Sequence, residues 1–318
     1  MAPEFPAGRR VAVNGIELVV HEAGAGPAVV LLHGFPELAY SWRHQVAALV
    51  DAGFRVIAPD QRGYGGSDAP LDPESYSMRT LVGDVVGVLD GLDVETATVV
   101  GHDFGGMVAW HCAVYAADRV DAVGSLCTPH GPRGRTDVAE SYRRRYGDSH
   151  YMTTFQTPGL AEAIFEADLE RTFGDMFRGV GLSLAEFRDL PAEVQALPMR
   201  LFSGNPQLFG RALLDAEELQ VYVDAYRQSG FRGPLSWYRS LHRTWEEADG
   251  VDMAIDKPAL FIQAADDFFL APDKRDLTDQ LVTNLERHVV ARCGHWIQQE
   301  RSAQVNALLV QWLCESVR

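Results

Sequence analysis

One aspartate sits where a nucleophile can be presented. The pentapeptide Gly101-His102-Asp103-Phe104-Gly105 follows the apolar run Ala97-Thr98-Val99-Val100 and precedes Gly106-Met107-Val108-Ala109-Trp110-His111-Cys112-Ala113. The run reads as a buried strand and the later stretch as a helix. Strand, Gly-x-nucleophile-x-Gly, helix is the layout of a nucleophile elbow. The glycines have a steric task, because a Cβ at either flank would crowd so sharp a turn. Asp103 is left at a helix N-terminus, where negative charge is favoured and N–H donors are on offer. A carboxylate with an ordinary pKa of about 3.9 is already ionised at neutral pH. It attacks a saturated carbon directly and leaves an ester, whose carbonyl lets water cleave it. A serine attacking the same carbon would leave an ether, which an ordinary hydrolytic site cannot open. The implied chemistry is cleavage of a C–O or C–halogen bond.

Such an elbow needs an acid and a histidine later in the chain, in that order. Leu260 to Gln263 reads as a strand running into Ala264-Ala265-Asp266-Asp267-Phe268, and the strand ending near Val290 runs into Cys293-Gly294-His295-Trp296. His295 is assigned as general base and Asp267 as the carboxylate that orients it, with Asp266 as the alternative. A lone Asp or His in a loop usually has no special role. Three of them, each just after a strand and in the required order, are a different matter. His33-Gly34-Phe35-Pro36 follows another buried run. The N–H groups of Phe35 and Phe104 are expected to form an oxyanion hole, one such donor being worth about 3–4 kcal/mol in the transition state. His102 and His33 read as bracing residues.

The elements that must hold these residues alternate. Arg10–Val13 and Glu17–His21 read as a hairpin turned at Asn14-Gly15. Ala28–Leu32 is apolar throughout, the mark of a strand covered on both faces. Helical spacing at 41–50, a strand at 55–58, the glycine-rich loop Gln61–Ser67, a helix at 80–89 and a strand at 120–127 follow. This predicts an α/β fold with a mostly parallel, doubly wound sheet. From about 128 to 250 the pattern turns helical with no clear strand, and the alternation then resumes to a last amphipathic helix at 302–314. The expected organisation is a core at 1–127, a helical lid at 128–250 and the second part of the core at 251–318. A lid there would cover the carboxyl ends of the strands, where open α/β sheets bind ligands.

Composition bounds the rest. The 318 residues are 47% hydrophobic and 23% charged, as in ordinary soluble proteins. No apolar run approaches the roughly 18 residues that span a bilayer, and no secretory signal is evident, so a cytoplasmic location is expected. The net charge of −16 argues against nucleic acid or an anionic membrane as partner. Cys112, Cys127, Cys293 and Cys314 have no metal-ligand spacing. No metal or organic cofactor is implied, and a homodimer is left open.

The chain resembles a known family. His33-Gly34-Phe35-Pro36-Glu37, Arg62-Gly63-Tyr64-Gly65, Gly101-His102-Asp103-Phe104-Gly105-Gly106 and Cys293-Gly294-His295-Trp296 are similar to the soluble epoxide hydrolases of the α/β-hydrolase superfamily. The resemblance covers nearly the whole chain and includes the lid. Tyr151, four residues before Phe155-Gln156-Thr157-Pro158-Gly159, matches the family's first lid tyrosine, and the segment 230–239 resembles the one holding the second, Tyr238. The resemblance implies that both phenols donate to the oxygen of an epoxide, whose alkoxide leaving group is too basic to depart unaided. It implies a small apolar epoxide as substrate, with a pocket including Phe35, Pro36, Phe104, Phe155 and Trp296. Lid aromatics such as Phe177 and Phe231 are expected to add to its apolar character. Two departures stand out: Phe104 occupies a position often held by Trp, and His150 offers a second donor beside Tyr151. Tyr142, Tyr146, Tyr222 and Tyr226 read as packing residues.

Two other functions share these features. A haloalkane or haloacid dehalogenase uses the same nucleophile but holds its halide with side-chain N–H donors, and Phe104 and Phe35 have none. A non-catalytic ligand-binding protein of this fold usually lacks one of nucleophile, base and acid, and this chain carries all three.

Overall fold

The structure is a computed structural model describing residues 5–199, 209–272 and 276–317. It opens with β1 (Gly8–Val13) and β2 (Ile16–Ala23), antiparallel and joined through Asn14 and Gly15, both at positive φ. There follow β3 (Ala28–Leu32), β4 (Arg55–Pro59), β5 (Ala97–His102) and β6 (Val120–Leu126). A short pair, β7 (Arg178–Val180) and β8 (Phe209–Ala212), lies apart from them. β9 (Ile255–Ala264) and β10 (Val282–Val290) return to the main sheet. That sheet has eight strands in the order β1-β2-β4-β3-β5-β6-β9-β10, parallel from β4 to β10.

The apolar runs are apolar because both faces are covered. In β3, Val29 and Leu31 point into one hydrophobic cluster and Val30 and Leu32 into the other, as strand alternation requires. Helices Met78–Gly91 and Phe104–Tyr115 close one face, and Arg43–Asp51 and Ser302–Ser316 the other.

Register does the positioning. Leu32 pairs with Gly101, His102 with Leu126, Leu126 with Ile262 and Ala264 with Val290. The carboxyl ends of β3, β5, β6, β9 and β10 therefore open on one edge, and the loops after them share one neighbourhood.

Between β6 and β9 the chain is mainly helical. The β7–β8 pair corrects the expectation of no strand there. Each of its strands is short and carries a glycine, Gly179 or Gly210, so neither has an apolar alternation to betray it. A Cβ on Gly210 would meet the Val180 carbonyl.

This insertion is bonded to the core on several sides. The Ser41 and Tyr222 hydroxyls share a 2.8 Å hydrogen bond, and the Arg43 guanidinium donates to Glu218 at 2.7 Å. The Trp237 indole donates to the Arg62 carbonyl at 2.9 Å, and the Trp296 indole to the Met176 carbonyl at 2.7 Å.

Candidate active site

Asp103 follows β5 and stands at the N-cap of the helix Phe104–Tyr115 with φ 54° and ψ −122°, a backbone conformation that costs energy for any residue but glycine. The surroundings impose it. A Cβ on Gly101 would strike the Gly105 carbonyl, and one on Gly105 the Leu32 carbonyl. The Thr128 hydroxyl also binds the Asp103 carbonyl at 2.6 Å. The Phe35 N–H donates to Asp103 Oδ1 at 2.9 Å. Gly34 makes this approach feasible, since a Cβ there would collide with the Asp103 side chain.

His295 faces the other carboxylate oxygen, its Nε2 lying 3.6 Å from Asp103 Oδ2. Its Nδ1 is 2.8 Å from Asp267 Oδ2. Asp267 is fully buried, and its Oδ1 accepts the N–H groups of Phe269 at 2.8 Å and Leu270 at 3.0 Å. Asp266 instead accepts the Leu184 N–H at 2.9 Å, which separates the two candidate acids. Burial alone opposes a charged His295, yet the charges of Asp267 and Asp103 outweigh it and raise the imidazolium to about 9. Burial likewise opposes ionisation of Asp267, but His295 and the two amides hold its carboxyl below the usual range.

The two tyrosines come from separate helices, Tyr151–Thr154 and Arg232–Arg239. Their rings stand 6.3 Å apart, nearly perpendicular, and both line one cavity with Asp103 and His295. Burial raises both phenols well above the ordinary tyrosine range, and the Asp103 charge adds to the effect. Both therefore keep their protons at neutral pH.

The cavity holds about 510 Å³ of empty space, its mouth included, and its wall is mainly aromatic. The residues from 27 to 302 match the family described as alpha/beta hydrolase fold. Epoxide hydrolase A of Mycobacterium tuberculosis is 40% identical over 97% of this chain and 97% of its own. Epoxide hydrolase 3 of Siraitia grosvenorii is 37% identical over 92% of this chain and 94% of its own. The crystal structure of epoxide hydrolase A from Mycobacterium thermoresistibile superposes with a TM-score of 0.85 at 40% identity, covering 97% of this chain and 98% of that one. The chain belongs to the epoxide hydrolase family.

Against that family background, the structure brings together Asp103, His295, Asp267, Tyr151 and Tyr238. Phe35, Pro36, Phe155 and Trp296 line the cavity. Phe104 does not. Its ring stands behind Tyr238, edge-on at 4.8 Å, and against Trp237 at 5.5 Å. Phe177 and Phe231 also lie outside the lining; they pack among Tyr222, Tyr226 and Phe173 inside the insertion. His150 faces a different cavity with Tyr142 and Tyr146, and its Nδ1 accepts the Met152 N–H at 3.2 Å. That leaves Tyr151 as the group of this pair on the Asp103 side.

Sequence reading missed Asp175, Met176, Phe209 and Phe269 in the wall. It also missed a buried brace. Glu37 accepts the Gly34 N–H at 2.9 Å, pairs with His102 Nδ1 at 2.8 Å and accepts from Gln298 at 2.7 Å. His102 Nε2 reaches the His295 carbonyl at 2.8 Å. Burial disfavours the Glu37 charge, but His102 and the Gly34 amide bring its pKa down to about 2. The pentapeptide after β3 thus ties the elbow to the histidine loop. His33 braces its own turn through Nδ1 to the Gly34 carbonyl at 3.0 Å and ties it to the next loop, its Nε2 accepting the Gln61 N–H at 3.0 Å.

His102, Cys127 and His295 place one potential metal-ligating atom each within 4.8 Å of one another. Both His102 nitrogens and His295 Nδ1 are already engaged, so the trio is a hydrogen-bonded cluster.

The raised His295 pKa has a stability consequence. A group whose pKa is higher folded than unfolded stabilises most fully below its unfolded value. That contribution is complete below about pH 6.5 and is lost as pH climbs through about 9. Denaturant unfolding at about pH 6 and about pH 10 should therefore show a larger alkaline loss in the wild type than in His295→Gln. Equal losses in the two proteins would place the histidine charge elsewhere.

Proposed function

We propose that this protein hydrolyses an epoxide to a vicinal diol through an ester on Asp103. The observation that carries the reading is one mainly aromatic cavity lined by the Asp103 carboxylate, the His295 imidazole and two buried phenols. Asp103 Oδ2 attacks an oxirane carbon, and the C–O bond breaks towards Tyr151 and Tyr238. Their protons hydrogen-bond to the developing alkoxide, and one is transferred to it. Oδ1, already held by the Phe35 N–H, becomes the ester carbonyl oxygen. The Phe104 N–H is the second donor, being a first-turn amide without an intrahelical acceptor.

Ester formation removes the Asp103 charge, one of the charges that keep His295 protonated. The imidazolium gives up its proton to restore the phenol that protonated the alkoxide, and the neutral imidazole then takes a proton from the water that adds to the ester carbonyl. Collapse releases the diol and restores the carboxylate. The helical insertion acts as the lid that supplies the donors and excludes bulk water.

A halide leaving group finds no side-chain N–H at Phe35 or Phe104, which favours the epoxide over the haloalkane. No helix among the described residues is long and apolar enough to cross a membrane. The four cysteines carry no disulfide, which supports a cytoplasmic location.

A panel of aryl and alkyl epoxides and haloalkanes, read out for diol and halide, tests the assignment. Diol is expected. Halide release without diol overturns it.

Tyr238→Phe should slow single-turnover formation of the ester by about 10²-fold, within the range for general acids, and change ester hydrolysis less. An unchanged alkylation rate would remove Tyr238 from the site.

A further inference from the structure

Among the described residues, Asp175 is the one carboxylate in the cavity wall besides the nucleophile. It breaks the rules of its own helix. In Leu169–Met176 it stands in the last turn, where the helix dipole disfavours negative charge. Its ion-pair partner is Arg171, at 3.6 Å from Arg171 Nε to Asp175 Oδ2. That pair runs cation first and anion second along the helix, the less favourable order. The Arg171 side chain is 57% exposed and that of Asp175 only 18%, so water screens the cation far more than the carboxylate. A local cost without a local gain points to a role in the cavity.

The surroundings define what such a carboxylate would meet. Phe209, Phe269 and Trp296 share the wall with it. Aromatic faces attract a cation through their quadrupole, and a quaternary ammonium is the ligand such faces recognise best. Asp103 and Asp267 flank a single imidazolium, which leaves the triad itself with excess negative charge. Among the described residues, no positive side chain other than the His295 imidazolium lines the cavity.

We infer that Asp175 makes this site selective for epoxides bearing a positively charged amine or ammonium group, and selective against carboxylates. The inference rests on the epoxide reading and specifies its substrate class. The cation sits between the Asp175 carboxylate and the aromatic wall while the oxirane faces Asp103.

The test compares glycidyltrimethylammonium with its uncharged carbon isostere, neopentyloxirane. The ratio of their kcat/KM values is taken in the wild type and in Asp175→Asn, so that intrinsic ring reactivity cancels. A preference for the cation should fall about tenfold in Asp175→Asn, the effect of one screened charge a few ångströms away. Arg171→Gln should raise the same ratio, because it removes the competing cation. Calorimetric binding of the two corresponding diols reads the preference without turnover. A ratio unmoved by both substitutions, in turnover and in diol binding, overturns the inference. Failure to open either oxirane, with the diol preference intact, instead overturns the epoxide reading and leaves a cation-selective cavity.

Discussion

Asp103→Asn should reduce turnover by about 10⁴-fold or more, the scale seen when a covalent nucleophile is removed. The amide fills the same space, and its oxygen can still accept the Phe35 N–H, so folding should survive; a circular dichroism melt checks this. The decisive measurement is isotopic. In the proposed sequence water attacks the carbonyl carbon, and the diol departs with an oxygen that belonged to Asp103. One turnover in heavy-oxygen water should therefore label the protein at Asp103 and leave the diol unlabelled. Label in the diol after a single turnover would mean that water opens the ring directly. The geometry argues for the covalent route. His295 Nε2 stands 3.6 Å from Oδ2, close enough to serve a water at the ester.

The second large effect belongs to His295→Gln. This variant keeps the nucleophile, the Phe35 amide and both phenols, so alkylation should proceed. Without a base, ester hydrolysis should slow by about 10²–10⁴-fold. The protein should gain the mass of one epoxide in an intact-mass spectrum, with the adduct mapping to the peptide containing Asp103. A variant that never acquires the adduct would show that the imidazole is needed for attack, and the division of labour would have to be redrawn. Asp267 should behave as a weaker copy of His295, because it touches the reacting atoms only through the imidazole it orients.

The elements that could be read from the sequence are those whose signal is local. A parallel strand covered on both faces is largely apolar, and β3, apolar throughout, and the Val99-Val100 stretch of β5 announce themselves this way. The elbow is legible because its glycines stand at a fixed short spacing around the nucleophile, although the clash that excludes a Cβ at Gly105 comes from Leu32 on the neighbouring strand. Asp267 is assigned as the acid with its neighbour Asp266 as the alternative; the two differ in burial and in partner, His295 for Asp267 and the Leu184 N–H for Asp266, and neither difference is marked locally in the sequence. Phe104 was misjudged for a similar reason. Its backbone position is fixed by the turn, while its ring direction is decided by Trp237 and Tyr238, more than a hundred residues away. Asp175, Phe209 and Phe269 carry no local mark of membership in the wall, since the cavity forms only when the insertion folds back over the sheet. The Glu37–His102–Gln298 brace joins three distant stretches, and no spacing rule links them.

The contacts that join the insertion to the sheet set a limit on engineering. Tyr222 needs Ser41, Glu218 needs Arg43, Trp237 needs the turn at Arg62, and Met176 needs Trp296. A cap grafted from another enzyme would bring only half of each pair, and its phenols would then swing away from the carboxylate by whatever the mismatched joints allow. Exchange of selectivity between relatives is thus better sought by repainting the wall within the native cap than by transplanting the cap whole.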